Sequence, residues 1–305
     1  MHRYLASLIF LPIWLSATEP SSPPKTEYSF ENQWTHAALR LELLEKILNP
    51  QTFTLLNQQG IKPGMTCLDI GSGLGGVAQW MAKQVGPEGS VTATDIDIRF
   101  LKEKRSDNFR VIEEDFTKNG SILPAQHFDL IHARNVLMHW PDKQEQVNKM
   151  VALLKPGGIL VVEDMGIFDG HSRLSGLDGP EGVWKKEARD YRLLEKNSTI
   201  SFHSGFTNHM RFRQAGLEKV QGDISGKLVQ GNGDIGKFMY YSTLQLESEQ
   251  NTQKEEEHLY HGILRAYLSL DSYWWDHLRV ITIGHKPRTK PTLPAPKAAE
   301  KRVSR

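Results

Sequence analysis

The stretch Cys67-Leu-Asp-Ile-Gly-Ser-Gly-Leu-Gly-Gly76, followed by Val91-Thr-Ala-Thr-Asp95, decides the fold of this 305-residue chain. The first stretch completes a short apolar run that is typical of a buried parallel strand. Its glycines satisfy the pattern G-x-G-x-x-G, which lets the backbone turn tightly and lie close to a ligand. A second apolar run ends in an acid, near the spacing at which a carboxylate meets a ribose diol. This order predicts a strand, a glycine turn, a helix and a second strand that together hold an adenosyl cofactor.

Asp69, two residues before the first glycine, indicates which kind of adenosyl cofactor is held. Dinucleotide folds point the N-terminus of the helix and its dipole at a pyrophosphate. A carboxylate beside that loop would repel a pyrophosphate, whereas it suits an ammonium or sulfonium group. The acid therefore disfavours the alternative, a nicotinamide-binding Rossmann domain.

The glycine turn resembles motif I of the class I S-adenosylmethionine-dependent methyltransferases, whose pattern is hydrophobic-Asp-x-Gly-x-Gly-x-Gly. Further marks of that family follow in the same order, namely the predicted fourth strand at Phe128–Asn135 and the turn Leu154–Gly158 before a fifth strand. Val136–Asp142 resembles the Leu-x-His-hydrophobic-Pro-Asp segment of the ubiquinone/menaquinone methyltransferase-like branch. The flanks, Tyr28–Trp34 and Thr94–Leu101, are similar to a bacterial group of uncharacterised methyltransferases, which brings no substrate with it.

The resemblance implies an α/β fold with a Rossmann-like, seven-stranded, mostly parallel sheet and helices on both faces. The last two strands, expected at Leu217–Ile224 and Arg279–Gly284, would form an antiparallel hairpin. The implied cofactor is S-adenosylmethionine, and the residues implied to bind it are Asp69, Gly71, Ser72, Gly73, Asp95, Ile96, Asp115, Phe116 and Arg134.

Within that set the resemblance assigns individual roles. Asp69 orders the glycine loop and the ammonium end, Asp95 holds the ribose diol, and Asp115 takes the exocyclic amine of adenine. Phe116 would give a backbone N–H to the adenine ring, and Arg134 a backbone contact to the methionine moiety. A helix N-cap is the alternative role for Asp95, and a solvated loop acid is the alternative for Asp115.

The implied reaction is transfer of a methyl group to O, N or C of a small-molecule acceptor by in-line displacement. The leaving group is already activated, so the protein chiefly aligns the nucleophile with the methyl carbon. A general base is needed only where the nucleophile is protonated. One candidate is His139, which could instead cap or pack the loop before Pro141. The others are Glu163 and Asp164, expected at the end of the fifth strand facing the cleft, where they could act as base, bind an amine or equally hold the loop.

Aromatic residues near the N-terminus are candidates for a lid over the sulfonium, because aromatic faces favour a cation. Tyr28, Phe30 and Trp34 are the candidates, and core packing beside the helix predicted at Thr35–Leu48 is their alternative role. His203, before the predicted sixth strand, is a further candidate for contact with substrate.

Charge limits the partners of this chain. The formal net charge of +1 divides into +6 on residues 286–305 and about −5 on the rest. An acidic body matches a phosphate backbone poorly, so nucleic acid is an unlikely partner. A nucleic-acid methyltransferase is also disfavoured because Arg134–Leu137 stands where an Asn-Pro-Pro-Tyr amine clamp would lie. The remaining alternative to the enzyme is a non-catalytic methyltransferase-like binding protein.

The expected organisation has four parts. Residues 1–17 form a hydrophobic segment, either a signal peptide or an anchor, because the apolar run Tyr4–Leu15 is too short to span a bilayer. A linker and cap helix (18–60), the methyltransferase domain (61–285) and a basic disordered tail (286–305) follow. Secretion conflicts with a cytosolic cofactor supply, so we expect a cytoplasmic enzyme with membrane contact through its N-terminal segment. The oligomeric state stays open.

The single cysteine, Cys67, excludes an intramolecular disulfide and is expected to be a small buried core residue. The twelve histidines have no compact ligand spacing such as HExxH, so no metal is expected.

Overall fold

The computed structural model describes residues 30, 32–118, 122–167, 191–192, 194–196, 198–249, 257–275 and 278–288. Tyr28, residues 1–17 and all but the first three residues of the basic tail lie outside these ranges. The strands, in chain order, are β1 (Thr66–Ile70), β2 (Ser90–Asp95), β3 (Phe109–Glu113), β4 (Phe128–Arg134), β5 (Leu154–Gly166), β6 (Glu218–Ser225), β7 (Leu228–Gln230), β8 (Tyr273–Trp275) and β9 (Leu278–His285).

In the described part of the chain, seven of these strands form one sheet in the order β3-β2-β1-β4-β5-β9-β6. Neighbours from β3 to β5 pair in parallel, and β9 pairs antiparallel with both β5 and β6. The predicted mostly parallel sheet and the antiparallel pairing of its last two strands are thus confirmed. The chain order reverses between β1 and β4, and the carboxyl ends of the strands at such a point form a binding crevice.

The described helices are α1 (Ala37–Gln58), α2 (Gly76–Val85), α3 (Lys143–Leu153), α4 (Ser204–Gln214), α5 (Asp234–Glu249) and α6 (Glu257–Leu268). Short 3-10 turns cover Lys102–Lys104 and Leu137–His139. Between β6 and β9 the chain inserts α5, α6 and a two-stranded antiparallel ribbon of β7 and β8. The last two strands of the sheet are therefore not joined by a tight turn.

Two boundaries differ from those predicted. Helix α1 continues past Leu48 to Gln58, with Pro50 inside it. A proline inside a helix is unfavourable, but the second half of α1 buries Leu55 and Leu56 against the core, which offsets that cost. Strand β5 runs on to Gly166, because β9 pairs with it along the whole stretch from Ile159.

Apolar side chains cover both faces of the sheet, as expected for strands buried on two sides. Alternate residues of β1 supply the two cores: Cys67 packs with α1 and α2, and Leu68 with α3 and α4. Cys67 is fully buried, which confirms its predicted place in the core. A third cluster joins α5, α6 and β8 to α1 through Leu43, Phe238 and Trp274. None of the helices within the described ranges is both long and apolar enough to cross a bilayer.

Candidate active site

A cavity of about 200 Å³ opens where β1, β2 and β4 end. All nine residues that the sequence assigns to the cofactor line it, namely Asp69, Gly71, Ser72, Gly73, Asp95, Ile96, Asp115, Phe116 and Arg134. Helix α1 closes one side of this cavity with Leu41, Leu44 and Glu45.

The glycine turn has a backbone that only glycine suits. Gly71 has φ +66°, and a Cβ on it would collide with the side chain of Val136, which follows β4. The hydroxyl of Ser72 donates to the carbonyl of Asp69 at 2.9 Å, which closes the turn. The first N–H of α2, on Gly76, donates to the Glu45 carboxylate of α1 at 2.7 Å. Glu45 was not predicted from the sequence, because nothing in its local pattern sets it apart from a solvated helix acid.

Asp95, at the end of β2, is held in place by backbone N–H groups. Its two carboxylate oxygens accept hydrogen bonds from the N–H groups of Gly73 (2.9 Å) and Asp97 (3.1 Å). Burial raises the pKa of Asp95 to about 6, and the charges of Asp97 and Asp69 act in the same direction. No helix begins at Asp95, since the next helical turn starts at Lys102.

Asp115 and Phe116 lie just after β3, and both line the cavity. The Asp115 carboxylate accepts hydrogen bonds from the N–H (2.9 Å) and hydroxyl (2.6 Å) of Thr117. Burial acts to raise the pKa of Asp115, but these bonds and the Lys118 ammonium outweigh it and lower the pKa. The ring of Phe116 stacks on Trp140 with centroids 5.7 Å apart.

Beneath the glycine turn lies a buried chain of polar groups that the sequence did not reveal. The Nδ1 atom of His132 lies 2.7 Å from Asp69, and its Nε2 atom 3.0 Å from Glu163. Only about 1% of His132 and of Glu163 is exposed. Burial alone would lower the pKa of His132, but its bonds with the two carboxylates raise it. The contact between Asp69 and His132 follows from the pairing of two predicted strands, since these residues are register partners in the β1–β4 pair.

The second carboxylate oxygen of Glu163, Oε2, also accepts hydrogen bonds. It accepts hydrogen bonds from Arg279 of β9 (2.6 Å) and from the Thr52 hydroxyl of α1 (3.2 Å). Burial favours the neutral acid, yet His132, Arg279 and Arg134 lower the pKa of Glu163 to about 2. The guanidinium of Arg134 donates to Thr52 (2.9 Å) and to Asn49 (2.8 Å), both on α1.

Asp164 lies on the opposite side of β5. Its carboxylate accepts hydrogen bonds from the amide of Asn208 (2.9 Å) and the N–H of Met138 (3.4 Å). Burial raises the pKa of Asp164 to about 6. The expectation that Glu163 and Asp164 end the fifth strand and face the cleft is wrong, because β5 continues beyond them and neither lines the main cavity.

His139 also lines the cavity. Burial, with the charges of Arg40 and Lys143, lowers the pKa of His139 to about 3, so its imidazole is neutral at physiological pH. Its ring meets Phe30 edge to face, and the Arg40 guanidinium lies 4.6 Å from the centroid of the Phe30 ring.

The other aromatic and histidine candidates lie elsewhere. Trp34 packs against His36 and Tyr241 and does not line the cavity, whereas Phe30 does. His203 also lies outside the lining, with its Nδ1 atom 3.3 Å from Glu195. The cavity lining includes an apolar wall, formed by Phe30, Met165, Tyr191, Phe202, Phe238 and Leu246, together with the polar Arg40, Ser242 and Thr243. All of the apolar wall except Phe238 packs in one cluster with Met138, the residue before His139. Across the ranges that the structure covers, no three His, Cys, Asp or Glu side chains are grouped as metal ligands.

The strand order, the glycine turn and the acids after β2 and β3 define a class I S-adenosylmethionine-dependent methyltransferase. A family described as "Methyltransferase domain" matches residues 40–222, and the chain belongs to this family. The ubiquinone/menaquinone biosynthesis C-methyltransferase of Bordetella parapertussis is 30% identical over 189 residues, which cover 56% of this chain and 70% of that protein. A sterol 24-C-methyltransferase of Gibberella zeae is 34% identical over 123 residues, or 38% of this chain and 31% of the relative.

Among solved structures, a phosphoethanolamine N-methyltransferase of Haemonchus contortus bound to S-adenosylhomocysteine is similar with a TM-score of 0.53. It is 16% identical, and the match covers 83% of this chain and 58% of that one, so the likeness shows the shared fold. The chain is thus an S-adenosylmethionine-dependent methyltransferase of the ubiquinone/menaquinone methyltransferase-like branch. The relatives named here are all methyltransferases, so nothing in them favours a non-catalytic binding protein.

Proposed function

We propose that this enzyme methylates a small, largely apolar acceptor whose nucleophilic atom needs no general base from the protein. The observation that carries the proposal is the apolar wall around a neutral His139. An apolar cavity with few polar groups selects an apolar ligand body. The C-methyltransferase of ubiquinone/menaquinone biosynthesis, to which the chain is similar, supports the same class of acceptor.

Among the described residues, none of the three base candidates suits proton abstraction, which supports an activated nucleophile. A base works best when its pKa lies near the working pH, and His139, with a pKa of about 3, is far below that range. Glu163 is bonded to His132 and Arg279, and Asp164 to Asn208. An electron-rich ring carbon, a phenolate or an uncharged amine satisfies this requirement. His139 then accepts a hydrogen bond from the acceptor and positions it.

For the cofactor, we assign the ammonium end to Asp69, the ribose diol to Asp95 and the adenine amine to Asp115. Gly71, Ser72, Gly73, Ile96 and Phe116 shape the walls around it. Because the Arg134 guanidinium is bonded to α1, the backbone of Arg134 is left to contact the methionine moiety.

The transfer itself is a displacement on the methyl carbon. The acceptor's electron pair forms the new bond while the carbon–sulfur pair returns to sulfur and yields S-adenosylhomocysteine. A proton that the methylated acceptor then loses passes to solvent water. The chain's contribution is alignment of the two reactants and exclusion of water, which can lower a barrier by several kcal/mol, of order 7–11 in well-oriented systems.

We also propose roles for the segments before the catalytic domain and for the domain itself. Residues 18–60 act as a cap, since α1 supplies Leu41, Leu44 and Glu45 to the cavity wall, and residues 61–285 form the catalytic domain. We assign residues 1–17 to membrane contact on the cytoplasmic side, where cofactor and apolar acceptor meet. Fractionation tests this assignment, because mature protein that begins near Thr18 outside the cytoplasm would overturn it in favour of a signal peptide.

Two measurements test the proposed function. Calorimetric titration with S-adenosylmethionine, S-adenosylhomocysteine and NADH should show binding of both sulfur ligands and none of NADH. Transfer of a labelled methyl group is then compared between a substituted hydroquinone and phosphoethanolamine. Label extracted into organic solvent with the hydroquinone supports an apolar acceptor, whereas transfer to phosphoethanolamine alone contradicts it. Phe238→Leu, in the apolar wall, should raise KM for the acceptor and leave cofactor affinity unchanged.

A further inference from the structure

We propose that His132 is a positioning residue for the cofactor, which fixes the Asp69 carboxylate beside the glycine turn by bridging it to Glu163. The proposal rests on the role assigned above to Asp69, the ammonium end of S-adenosylmethionine. His132 acts through Asp69 and is distinct from the residues that hold the cofactor directly.

The geometry assigns both ring nitrogens of His132 to carboxylates. Nδ1 lies 2.7 Å from Asp69 Oδ1, and Nε2 lies 3.0 Å from Glu163 Oε1. An ionised carboxylate only accepts hydrogen bonds, so both contacts are satisfied together only when both ring nitrogens carry a proton. His132 is therefore an imidazolium with two charge-assisted bonds, and such bonds are stronger and more directional than neutral ones.

The charges around His132 balance. Asp69 and Glu163 are its two anionic neighbours, and the second cation is Arg279, with its Nη2 atom 2.5 Å from Glu163. A buried ion needs partners of opposite charge, and removing one partner leaves the other exposed to a large desolvation cost. The Arg134 guanidinium and the Glu45 carboxylate are the next charged groups, and both act on this cluster from the cavity side.

Glu163 connects the hydrogen-bonded group of Asp69, His132 and Glu163 to two further elements, β9 and α1. Arg279 anchors it to β9, and the Thr52 hydroxyl anchors it to α1. Helix α1 also carries Glu45, which holds the first N–H of α2. The orientation of the Asp69 side chain is thus set by hydrogen bonds that run from β9 through Glu163 of β5 and His132 of β4.

Two substitutions distinguish the hydrogen bond from His132 to Asp69 from the hydrogen bond to Glu163. In His132→Asn the amide nitrogen falls near the position of Nδ1 and keeps a donor to Asp69. In His132→Gln it falls near Nε2, so the donor to Glu163 remains and Asp69 loses its partner. Both variants and Asp69→Asn are titrated with S-adenosylhomocysteine and with methylthioadenosine, which lacks the ammonium and carboxylate. Thermal unfolding measures their stability in parallel.

We expect His132→Gln to bind S-adenosylhomocysteine about tenfold more weakly, as for loss of one bond to a charged group, and methylthioadenosine normally. His132→Asn should lose less affinity than His132→Gln, although the two are similarly destabilised. Equal losses for both ligands, or no loss for either, would show a merely structural His132 and overturn the proposal. If Asp69→Asn weakens both ligands alike, the fault lies instead with the role assigned to Asp69.

A measurement on the unaltered enzyme keeps the proposal testable if the variants do not fold. In protein labelled with nitrogen-15 histidine, the resonances of His132 near neutral pH should show two protonated ring nitrogens. A neutral imidazole there would exclude simultaneous donation to Asp69 and Glu163 and overturn the inference.

Discussion

Acidification should weaken the binding of S-adenosylmethionine through Asp95. The carboxylate of Asp95 is half-buried, and burial raises its pKa to about 6. A ribose diol donates hydrogen bonds, so it binds the ionised form more tightly than the protonated one. Binding of the cofactor therefore requires any proton on Asp95 to leave.

The size of the effect follows from linkage. At about pH 7.5 nearly all Asp95 is ionised, whereas at about pH 5 only about one molecule in eleven is, given the pKa of about 6. If the bound carboxylate has its ordinary pKa or a lower one, affinity falls about tenfold over this range, or about 1.4 kcal/mol. At about pH 6, cofactor binding should release about half a proton.

Calorimetry in buffers of different ionisation enthalpy measures both quantities. The matched control is Asp95→Asn, which binds more weakly but should lose this tenfold dependence. That control is necessary because burial also raises the pKa of Glu45, which lines the same cavity. Equal wild-type affinity at both pH values, or an unchanged fall in Asp95→Asn, would refute the assignment of Asp95 to the ribose.

Three further predictions concern the glycine turn, a buried acid and the acceptor end. Gly71→Ala should cost about 3 kcal/mol of unfolding free energy and abolish cofactor binding, because its Cβ meets Val136. Gly60→Ala, also at positive φ but with open space around it, should cost only about 1 kcal/mol and leave cofactor binding intact. The pKa of Asp164 is raised to about 6, so its contribution to stability is greatest below its unfolded pKa and is lost as pH rises through 6. Denaturant unfolding of wild type and Asp164→Asn should therefore differ by about 2.4 kcal/mol more at about pH 4 than at about pH 7, in favour of wild type, and a constant difference would contradict this. His139→Gln should lower kcat by less than about tenfold, whereas loss of a general base would cost about a hundredfold or more.

That the nine proposed cofactor residues line one cavity was predictable, because they lie at or just after the carboxyl ends of β1 to β4. The carboxyl ends of β1 and β2 lie together in any parallel sheet, so Asp69 and Asp95 meet once their strands are recognised. The glycine at position 71 is similarly a local requirement, set by a positive φ and by the approach of Val136. Local pattern and tertiary structure agree here.

The length of α1, the choice of lid residue and the apolar wall depend on contacts between segments that are distant in the sequence. No local sequence pattern indicates such contacts. Pro50 marks the end of a helix by propensity, yet packing of Leu55 and Leu56 carries α1 past it. Trp34 and Phe30 are equivalent lid candidates in the sequence, and only the fold distinguishes the one that lines the cavity. The apolar wall from α5 belongs to an insertion between β6 and β9 that has no motif of its own.

Glu163 illustrates why residue type and strand position are insufficient to assign chemistry. Both carboxylates on β5 suit a general base by sequence, but their partners give them opposite protonation behaviour. Glu163, between His132 and Arg279, has a pKa lowered to about 2, whereas burial raises that of Asp164 to about 6. A carboxylate with a pKa of about 2 is a very weak base, and Asp164 is enclosed by Asn208 and the backbone. Of these three candidates, His139 alone belongs to the described cavity lining, and its imidazole is neutral. Under the proposed function, the reactivity of the nucleophile therefore comes from the acceptor itself.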